Sequence, residues 1–313
     1  MCNLTRMLSI ILLAPVSYLT LADDLSVEEK SPCLYESQES TMLDKTYDYL
    51  NSKLCEPALW FDDFFVDERV TQDSRAGTMV RWYNDFKQTE GEGFTYKTRL
   101  SARVHIPKAT KRLKLVFESD ADDKVADLFP NSSDDTKNTF GLRYDWFVKE
   151  RSSLNFKVSL HPGIEARYRY TYPFTADTYG RITQKIYQKK SDTGSKTDLD
   201  LDHKINDTFL LRWTNFAKVE TSFNGAELGS GLTLYQFISD TQALSYEASV
   251  QGKTKPYHYL SNQRLAVRYR QSIFRKWFFY ELTPAVEWPK EEELERHDEV
   301  SITLRLEVLF NNI

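Results

Sequence analysis

The sequence predicts an all-β protein: a transmembrane, antiparallel, up-and-down β-barrel of about fourteen strands, with a short helical segment before it. The first observation is that apolar and polar residues alternate from Ser74 to the end of the chain, which is the period of a β-strand. The second is that strand-like segments follow one another over these 240 residues with no helix-period stretch between them. The third is that the polar face carries arginine and glutamate at mid-strand, where a soluble sheet would normally use serine, threonine or an edge lysine. Alternation alone occurs in soluble sheets too, but the three together favour a barrel of the outer-membrane type.

The composition argues against a helical membrane protein and against a nucleic-acid-binding protein. Charged residues make up 28% of the chain and the mean hydropathy is −0.54, which argues against helical membrane spans. The net charge of −5 is small and negative, and it does not indicate a nucleic-acid-binding protein. Aromatic residues reach 14%, and this content beside so many charges indicates strands with one apolar and one polar face.

The N-terminus has the pattern of a secretory signal peptide over residues 1–22. Arg6 precedes an apolar run from Met7 to Pro15, and Thr20-Leu21-Ala22 precedes Asp23 as a cleavage site. The apolar run is too short for a membrane span, which needs about 20 residues, although an uncleaved anchor is the rival interpretation. We therefore expect the mature chain to be exported.

Two cysteines remain after this cleavage, Cys33 and Cys55. An even pair in an oxidising compartment predicts one disulfide. The alternative is two unrelated thiols.

Residues 23–73 are expected to form a periplasmic helical cap or plug. A helix is predicted over residues 41–54, because its apolar residues recur at spacings of three and four. Pro57 is expected to break the helical pattern. The stretch WFDDFFVDER at 60–69 then places aromatic residues among acids.

This stretch is predicted to act as a clamp at the barrel mouth. Its aromatic side chains would lie at the periplasmic interface or under the mouth, and its acids would meet the basic lumen. The alternative is that the segment is docked on the rim only for stability. The candidate residues are Trp60, Phe61, Asp62, Asp63, Phe64, Phe65 and Arg69.

The remaining residues, 74–313, are predicted to form the barrel, with twelve or sixteen strands as alternatives to fourteen. The strands are expected near 75–89, 93–107, 111–119, 138–149, 152–160, 164–174, 180–191, 195–206, 208–220, 225–238, 241–252, 258–273, 276–288 and 299–310. Tight turns are predicted at 205–207, 239–240 and 274–276, and longer loops at 120–136, 191–196, 221–226, 252–258 and 289–298. Short turns on one rim and longer loops on the other are typical of outer-membrane barrels.

With apolar residues facing lipid, the alternation predicts which charges face the lumen. The bases include Arg81, Arg99, Arg103, Arg143, Lys157, Arg167, Arg169, Arg212, Arg268, Arg270 and Arg305. The acids include Asp85, Glu118, Asp145, Asp198, Asp200, Asp202, Glu247, Glu281, Glu287 and Glu307. Most bases lie on early strands and more acids on late ones. Two arrangements stay open: a water-filled pore with a transverse field, or a salt-bridged interior with no open path.

The C-terminal strand resembles the signal that directs bacterial outer-membrane barrels to insertion. Leu306, Val308 and Phe310 supply its alternating apolar residues and its aromatic, although Asn311-Asn312-Ile313 follow where the aromatic is usually terminal. The mature chain also resembles a group of uncharacterised proteobacterial outer-membrane proteins, through the WFD-x-FF-x-D-E-R segment and through YELTPAVEWP and SITLRLEVLF. The resemblance implies the barrel fold and the outer membrane of a Gram-negative bacterium. The resemblance does not imply any particular activity.

The leading functional hypothesis is therefore passive passage of small polar or charged solutes. The alternative is a non-conducting structural or assembly barrel, and an outer-membrane hydrolase is a third class. None of the five histidines has an evident serine partner, and Asp202 and His203 are strand neighbours that point to opposite faces. We predict no catalytic residue, no metal and no cofactor. The expected partners are outer-membrane lipid, lipopolysaccharide and, during insertion, the barrel-assembly machinery.

Overall fold

The structure, a computed structural model, describes residues 57–65, 79–105, 113–121, 136–149, 151–159, 163–189, 192–275, 277–290 and 294–311. The predicted signal peptide, the predicted helix over 41–54, Cys33, Cys55 and Arg69 lie outside these residues.

Fourteen strands form one closed antiparallel barrel in which each strand pairs with its neighbours in sequence. This confirms the predicted fold and strand number. The strands are β1 Met79–Thr89, β2 Gly93–His105, β3 Leu113–Ala121, β4 Thr136–Val148, β5 Ser152–Ser159, β6 Gly163–Pro173, β7 Thr178–Lys189, β8 Asp192–Lys204, β9 Phe209–Glu220, β10 Phe223–Ser239, β11 Gln242–Lys253, β12 Tyr259–Ser272, β13 Phe278–Glu287 and β14 Glu299–Asn311.

The barrel closes where β1 pairs with β14, in an unbroken register from Met79↔Asn311 to Thr89↔Ser301. The start of β1 and the end of β14 therefore lie at the same rim, which we call the terminal rim. The opposite end of the barrel is the far rim. Because neighbouring strands are antiparallel, successive connections alternate between the two rims.

The distribution of side chains is inverted relative to that of a soluble protein. Along β11, Ser245, Glu247 and Ser249 are buried, whereas Tyr246 and Val250, which alternate with them, are exposed. Large apolar side chains cover the outer wall of the other strands too; Trp146, for example, is 58% exposed. An apolar exterior around a polar interior is the arrangement of a barrel surrounded by lipid.

Two loops predicted from polar composition are wrong. β8 begins at Asp192, so most of residues 191–196 belong to a strand, and only Thr221 and Ser222 separate β9 from β10. The polar residues of the first stretch include Lys196, which is buried on the inward face. The polarity of Lys196 therefore reflects the lining of the lumen, whereas Thr193 and Ser195 alternate with it on the outer face of the strand. Long connections separate β3 from β4 and β13 from β14, at 122–135 and 288–298.

The part of the chain that the structure describes contains one helix, α1, which spans Pro57–Phe65. Pro57 is the first residue of this helix, and the predicted break between it and the helix over 41–54 lies outside the described residues. Proline is well suited to that position, where its missing N–H has no partner in the helix and its fixed φ matches the helical value. Within the described residues, no helix is long and apolar enough to cross a membrane.

Replacing Leu304 with arginine tests the assignment of the two faces. Leu304 lies on the outer wall near the middle of β14, so the variant Leu304→Arg should lower the free energy of unfolding by about 2–4 kcal/mol. The measurement is urea-induced unfolding of the barrel in lipid vesicles. The control is Thr303→Arg, on the inward face of the same strand, which should cost less than Leu304→Arg because the inward face is polar. Equal losses in the two variants would contradict the assignment.

Candidate functional site

Helix α1 lies inside the barrel mouth at the terminal rim. Phe61, Phe64 and Phe65 are 0%, 7% and 1% exposed. They pack in one cluster with inward side chains that stand at the terminal-rim ends of their strands. We call these side chains the helix seat: Tyr179, Leu210, Tyr235, Ala243, Phe279 and Leu309. The barrel interior at this rim is therefore apolar on the side formed by β7, β9–β11, β13 and β14.

Aromatic contacts fix how α1 sits. Phe61 stacks on Tyr235 with 5.0 Å between ring centroids, and Phe64 meets Phe279 edge-on at 5.7 Å. Trp60 stacks on Phe64 at 4.6 Å. Phe61 and Phe65 are four residues apart, as are Trp60 and Phe64, so the helical period brings all four rings towards the seat.

A buried ion pair joins α1 to the wall. Asp62 accepts a hydrogen bond from Arg212 Nη1 at 2.7 Å, and both side chains are at most 1% exposed. Arg212 also donates from Nε and Nη2 to the two oxygens of Asp202, at 2.6 and 3.0 Å. One guanidinium thus lies between two carboxylates, one from the helix and one from the barrel.

Guanidinium groups also lie over the rings of the seat and of α1. Arg270 lies 4.2 Å above the ring centre of Phe279 and 5.9 Å from that of Phe64. Arg268 lies 5.9 Å from the ring centre of Phe65. The aromatic helix is therefore bounded by cations, which the electron-rich ring faces attract.

Beyond the seat, the interior of β11–β14 and β1 is a belt of ion pairs between nearby strands. Glu307 accepts two hydrogen bonds from Arg81, at 2.9 and 3.0 Å, and one from Arg270 at 2.8 Å. Asp85 pairs in the same way with Arg305 at 2.6 Å and with Arg99 at 3.4 Å. Each carboxylate bridges two guanidiniums.

The belt continues onto β11 and β12. Glu247 contacts Arg264 at 2.8 Å and Arg268 at 2.7 Å. Glu281 contacts Arg268, Arg270 and Arg305 at 3.5, 3.4 and 3.9 Å. Acids and bases on this side are therefore neighbours, and the salt-bridged arrangement describes this wall better than a separation into an acidic and a basic half.

The structure places the sequence-predicted lumen charges on the inward face. Those with described side chains are all buried, except Lys157, Asp198 and Glu287, which are half-buried. Arg103 lies on β2, but its side chain is outside the described residues, as are those of Glu118 and Asp63. Of the residues assigned to the insertion signal, Phe310 lies on the outer wall at the terminal rim and stacks on Trp277 at 5.4 Å.

Sequence reasoning missed the helix seat, yet a signal for it exists. Leu309 stands two residues from Glu307, Phe279 two from Glu281 and Leu210 two from Arg212, each on the polar face of its strand. Apolar residues on the polar face of several strands, always at the same rim, indicate that something apolar is docked there. Arg181, Arg264 and Lys114 were also missed; they form ion pairs with Asp200, Glu247 and Asp145.

No protein-family model matches the chain, and no curated protein matches its sequence significantly. Solved structures do match. The CymD monoaromatic hydrocarbon channel aligns over 80% of this chain and 92% of its own, with 11% identity and a TM-score of 0.52. A loop L8 deletion mutant of OmpT, an outer membrane protein of Vibrio cholerae, aligns over 75% of this chain and 100% of its own, with 10% identity and a TM-score of 0.50. The chain therefore has the β-barrel fold seen in these outer-membrane proteins.

Truncating Phe61 should release α1 from its seat. The variant Phe61→Ala removes a fully buried ring, and changes of this kind cost about 3–5 kcal/mol. We expect faster amide hydrogen exchange at residues 57–65 in detergent micelles, with exchange in the strands unchanged. Phe174→Ala, which removes a 60% exposed ring at the same rim, is the control and should leave α1 protected. Unchanged exchange in Phe61→Ala would show that this ring does not hold the helix.

Neutralising Glu307 should destabilise the whole barrel. The variant Glu307→Gln leaves Arg81 and Arg270 buried without their shared carboxylate, and breaking a buried pair typically costs about 3–5 kcal/mol. Urea-induced unfolding in vesicles measures the loss.

The matched control for Glu307→Gln is a surface ion pair. Lys204 approaches Asp207 at 2.7 Å in a terminal-rim turn, and its hydrogen bond and positive charge lower the pKa of the Asp207 carboxyl. That carboxyl is 94% exposed, so Asp207→Asn should leave the unfolding midpoint unchanged. A midpoint for Glu307→Gln that equals the control would mean that the interior pair contributes no stability.

Proposed function

We propose that the protein is a passive outer-membrane channel for small polar or charged solutes. The observation that carries the proposal is a closed barrel of fourteen strands whose interior is lined by charged and polar side chains. Eight-stranded barrels are filled by their own side chains, whereas those with sixteen or more strands leave an aqueous channel. Fourteen strands leave an interior in which the lining residues and α1 decide whether solutes pass.

Helix α1 would be the element that narrows the path. It occupies the terminal mouth on the side of β7–β14, where the helix seat lies. Among the described side chains, those of the opposite side, formed by β2–β6, supply no residue of the seat. Solutes would therefore pass between α1 and that opposite wall.

We further propose that the terminal rim faces the periplasm. Both ends of the barrel and α1 lie at this rim, and the expected signal peptide and disulfide-linked helix precede α1 in the chain. Exposed aromatic side chains at the same rim, among them Phe274, Trp277 and Phe310, suit the interface between lipid and water. Lipid, lipopolysaccharide and the barrel-assembly machinery would be the partners of such a protein.

A non-conducting structural barrel is the second candidate. The seated helix and the belt of ion pairs favour it, since both fill the interior. A hydrolase has less support, because Asp202 and His203, the acid–histidine neighbours on β8, are divided between the two faces. Asp202 is buried against Arg212, whereas His203 is exposed and contacts Thr178 Oγ1 at 2.8 Å.

Single-channel conductance in a planar bilayer tests the proposal. The mature protein is compared with a variant lacking residues 23–69, and a variant lacking residues 23–56, which keeps α1, is the matched control. We expect steady conductance that rises when α1 is removed and changes little in the control. Conductance only after removal of 23–69 would make α1 a plug. No conductance in any variant, with folding shown by heat-modifiable gel mobility, would leave the structural barrel as the function.

A further inference from the structure

We propose that the helix seat is a binding site for small solutes that combine an aromatic ring with a carboxylate, and that α1 keeps this site closed by presenting the same two groups. The inference rests on the proposed channel function and adds the class of solute. It comes from the chemistry that α1 offers to the wall, which is aromatic rings with one buried carboxylate beside them.

The ring part of this site is the apolar side of the seat. Phe61 stacks on Tyr235 with 5.0 Å between ring centroids and 26° between ring planes. Phe64 meets Phe279 edge-on, and Leu210 lies in the same cluster. Stacked and edge-on arrangements are the ones that aromatic pairs favour. A planar ring in the place of Phe61 would therefore find the same contacts.

The carboxylate part of the site is the guanidinium of Arg212. Its Nη1 donates to Asp62 of α1 at 2.7 Å. Its Nε and Nη2 donate to Asp202 on the neighbouring strand, so the wall itself orients the guanidinium whether or not α1 is present. A planar guanidinium fixed in this way matches the oxygens of a carboxylate. When α1 leaves, the carboxylate of a solute can accept the bond that Asp62 accepts now.

The two parts of the site are adjacent, because both lie beside Tyr235. The ring centre of Phe61 is 5.0 Å from that of Tyr235, and the guanidinium carbon of Arg212 is 5.5 Å from it. Phe61 and Asp62 are consecutive residues, so α1 delivers its ring and its carboxylate together. A solute such as 3-phenylpropionate joins the same two groups through a short chain.

Buried donors beside α1 indicate that the helix is an imperfect occupant. Within the described residues, Tyr179 Oη and the Nε and Nη2 atoms of Arg270 are buried and have no hydrogen-bond partner. Tyr179 belongs to the seat, and Arg270 lies 5.9 Å from the ring centre of Phe64. Buried polar groups in native structures nearly always have partners, and a phenyl ring offers no oxygen or nitrogen acceptor. A solute with two carboxylate oxygens brings the acceptors that the rings of α1 lack.

The same contacts disfavour related classes of solute. A hydrocarbon would fill the aromatic part of the seat but would not replace the oxygen that Asp62 supplies to Arg212. A short aliphatic acid would replace that oxygen but would bury little apolar surface against Tyr235 and Phe279. Only a solute with both groups uses both parts of the site.

Competition with α1 gives the inference a distinctive sign. Because α1 and the solute need the same contacts, only the fraction of molecules in which α1 has left the seat can bind the solute, and the apparent affinity is lowered by that fraction. Weakening the hold of α1 therefore raises the affinity. If α1 formed part of the solute site instead, the same change would lower it.

The test is isothermal titration calorimetry of the mature protein in detergent micelles with sodium 3-phenylpropionate. In the variant Phe61→Ala, which removes the ring stacked on Tyr235, the affinity should rise by about tenfold or more. Phe174→Ala removes an exposed ring at the same rim, outside the seat, and should keep the wild-type affinity. In the mature protein, saturating 3-phenylpropionate should also speed amide hydrogen exchange at residues 57–65, because the bound solute displaces the helix.

Analogues of the solute test its chemical class in the Phe61→Ala background. 3-Phenylpropionamide keeps the ring and loses the charge, and sodium propionate keeps the carboxylate and loses the ring. Each should bind about tenfold or more weakly than 3-phenylpropionate. The double variant Phe61→Ala/Tyr235→Leu tests the location, since it removes the ring beside both parts of the site and should weaken binding of 3-phenylpropionate. Heat-modifiable gel mobility shows that each variant is folded.

The outcomes separate this inference from the function on which it rests. No binding to folded Phe61→Ala, an affinity that this change leaves equal or lowers, or equal affinity for the amide overturns the aromatic-acid site and leaves the channel proposal intact. Binding with the expected sign, together with absence of conductance in every folded variant, supports the site and overturns the channel.

Discussion

Pairing between β1 and β14 is the constraint on which the rest of the structure depends. A barrel surrounded by lipid must satisfy its backbone N–H and C=O groups internally, because each unsatisfied group costs several kcal/mol there. The continuous register from Met79↔Asn311 to Thr89↔Ser301 removes both sheet edges. It also places both ends of the barrel at one rim, so the N-terminal segment arrives where the helix seat stands.

Closure creates an interior, and the interior must accommodate many charges. Burying a charge is costly unless an opposite charge or several hydrogen bonds accompany it. The late strands meet this requirement with carboxylates shared between two guanidiniums, as Glu307 is between Arg81 and Arg270. Strands β3–β6 meet it in part with neutral groups such as Asn155 and Thr183. Apart from the helix seat, the interior formed by the described residues is therefore polar, and ion pairs and hydrogen bonds hold its charged groups.

Helix α1 is held by residues on one side of the interior. Its rings need apolar partners, which Leu210, Phe279 and Leu309 provide at one side of one rim, and Asp62 needs a cation, which Arg212 provides. The helix is thereby held against one wall. The position of the helix in the mouth is thus a consequence of where apolar residues interrupt the polar face.

The sequence by itself determined the period-two alternation, and with it the strand number, both faces of each strand and strand limits that mostly agree within three residues. It also indicated that WFDDFFVDER belongs near the barrel mouth, and Phe61 and Asp62 do lie there. Alternation is a local property, so it cannot tell a polar strand from a polar loop, as at residues 191–196. The tertiary structure alone decided which acid meets which base and which apolar residues come together to form the helix seat. These depend on register and closure, which bring together residues as distant in sequence as Asp62 and Arg212.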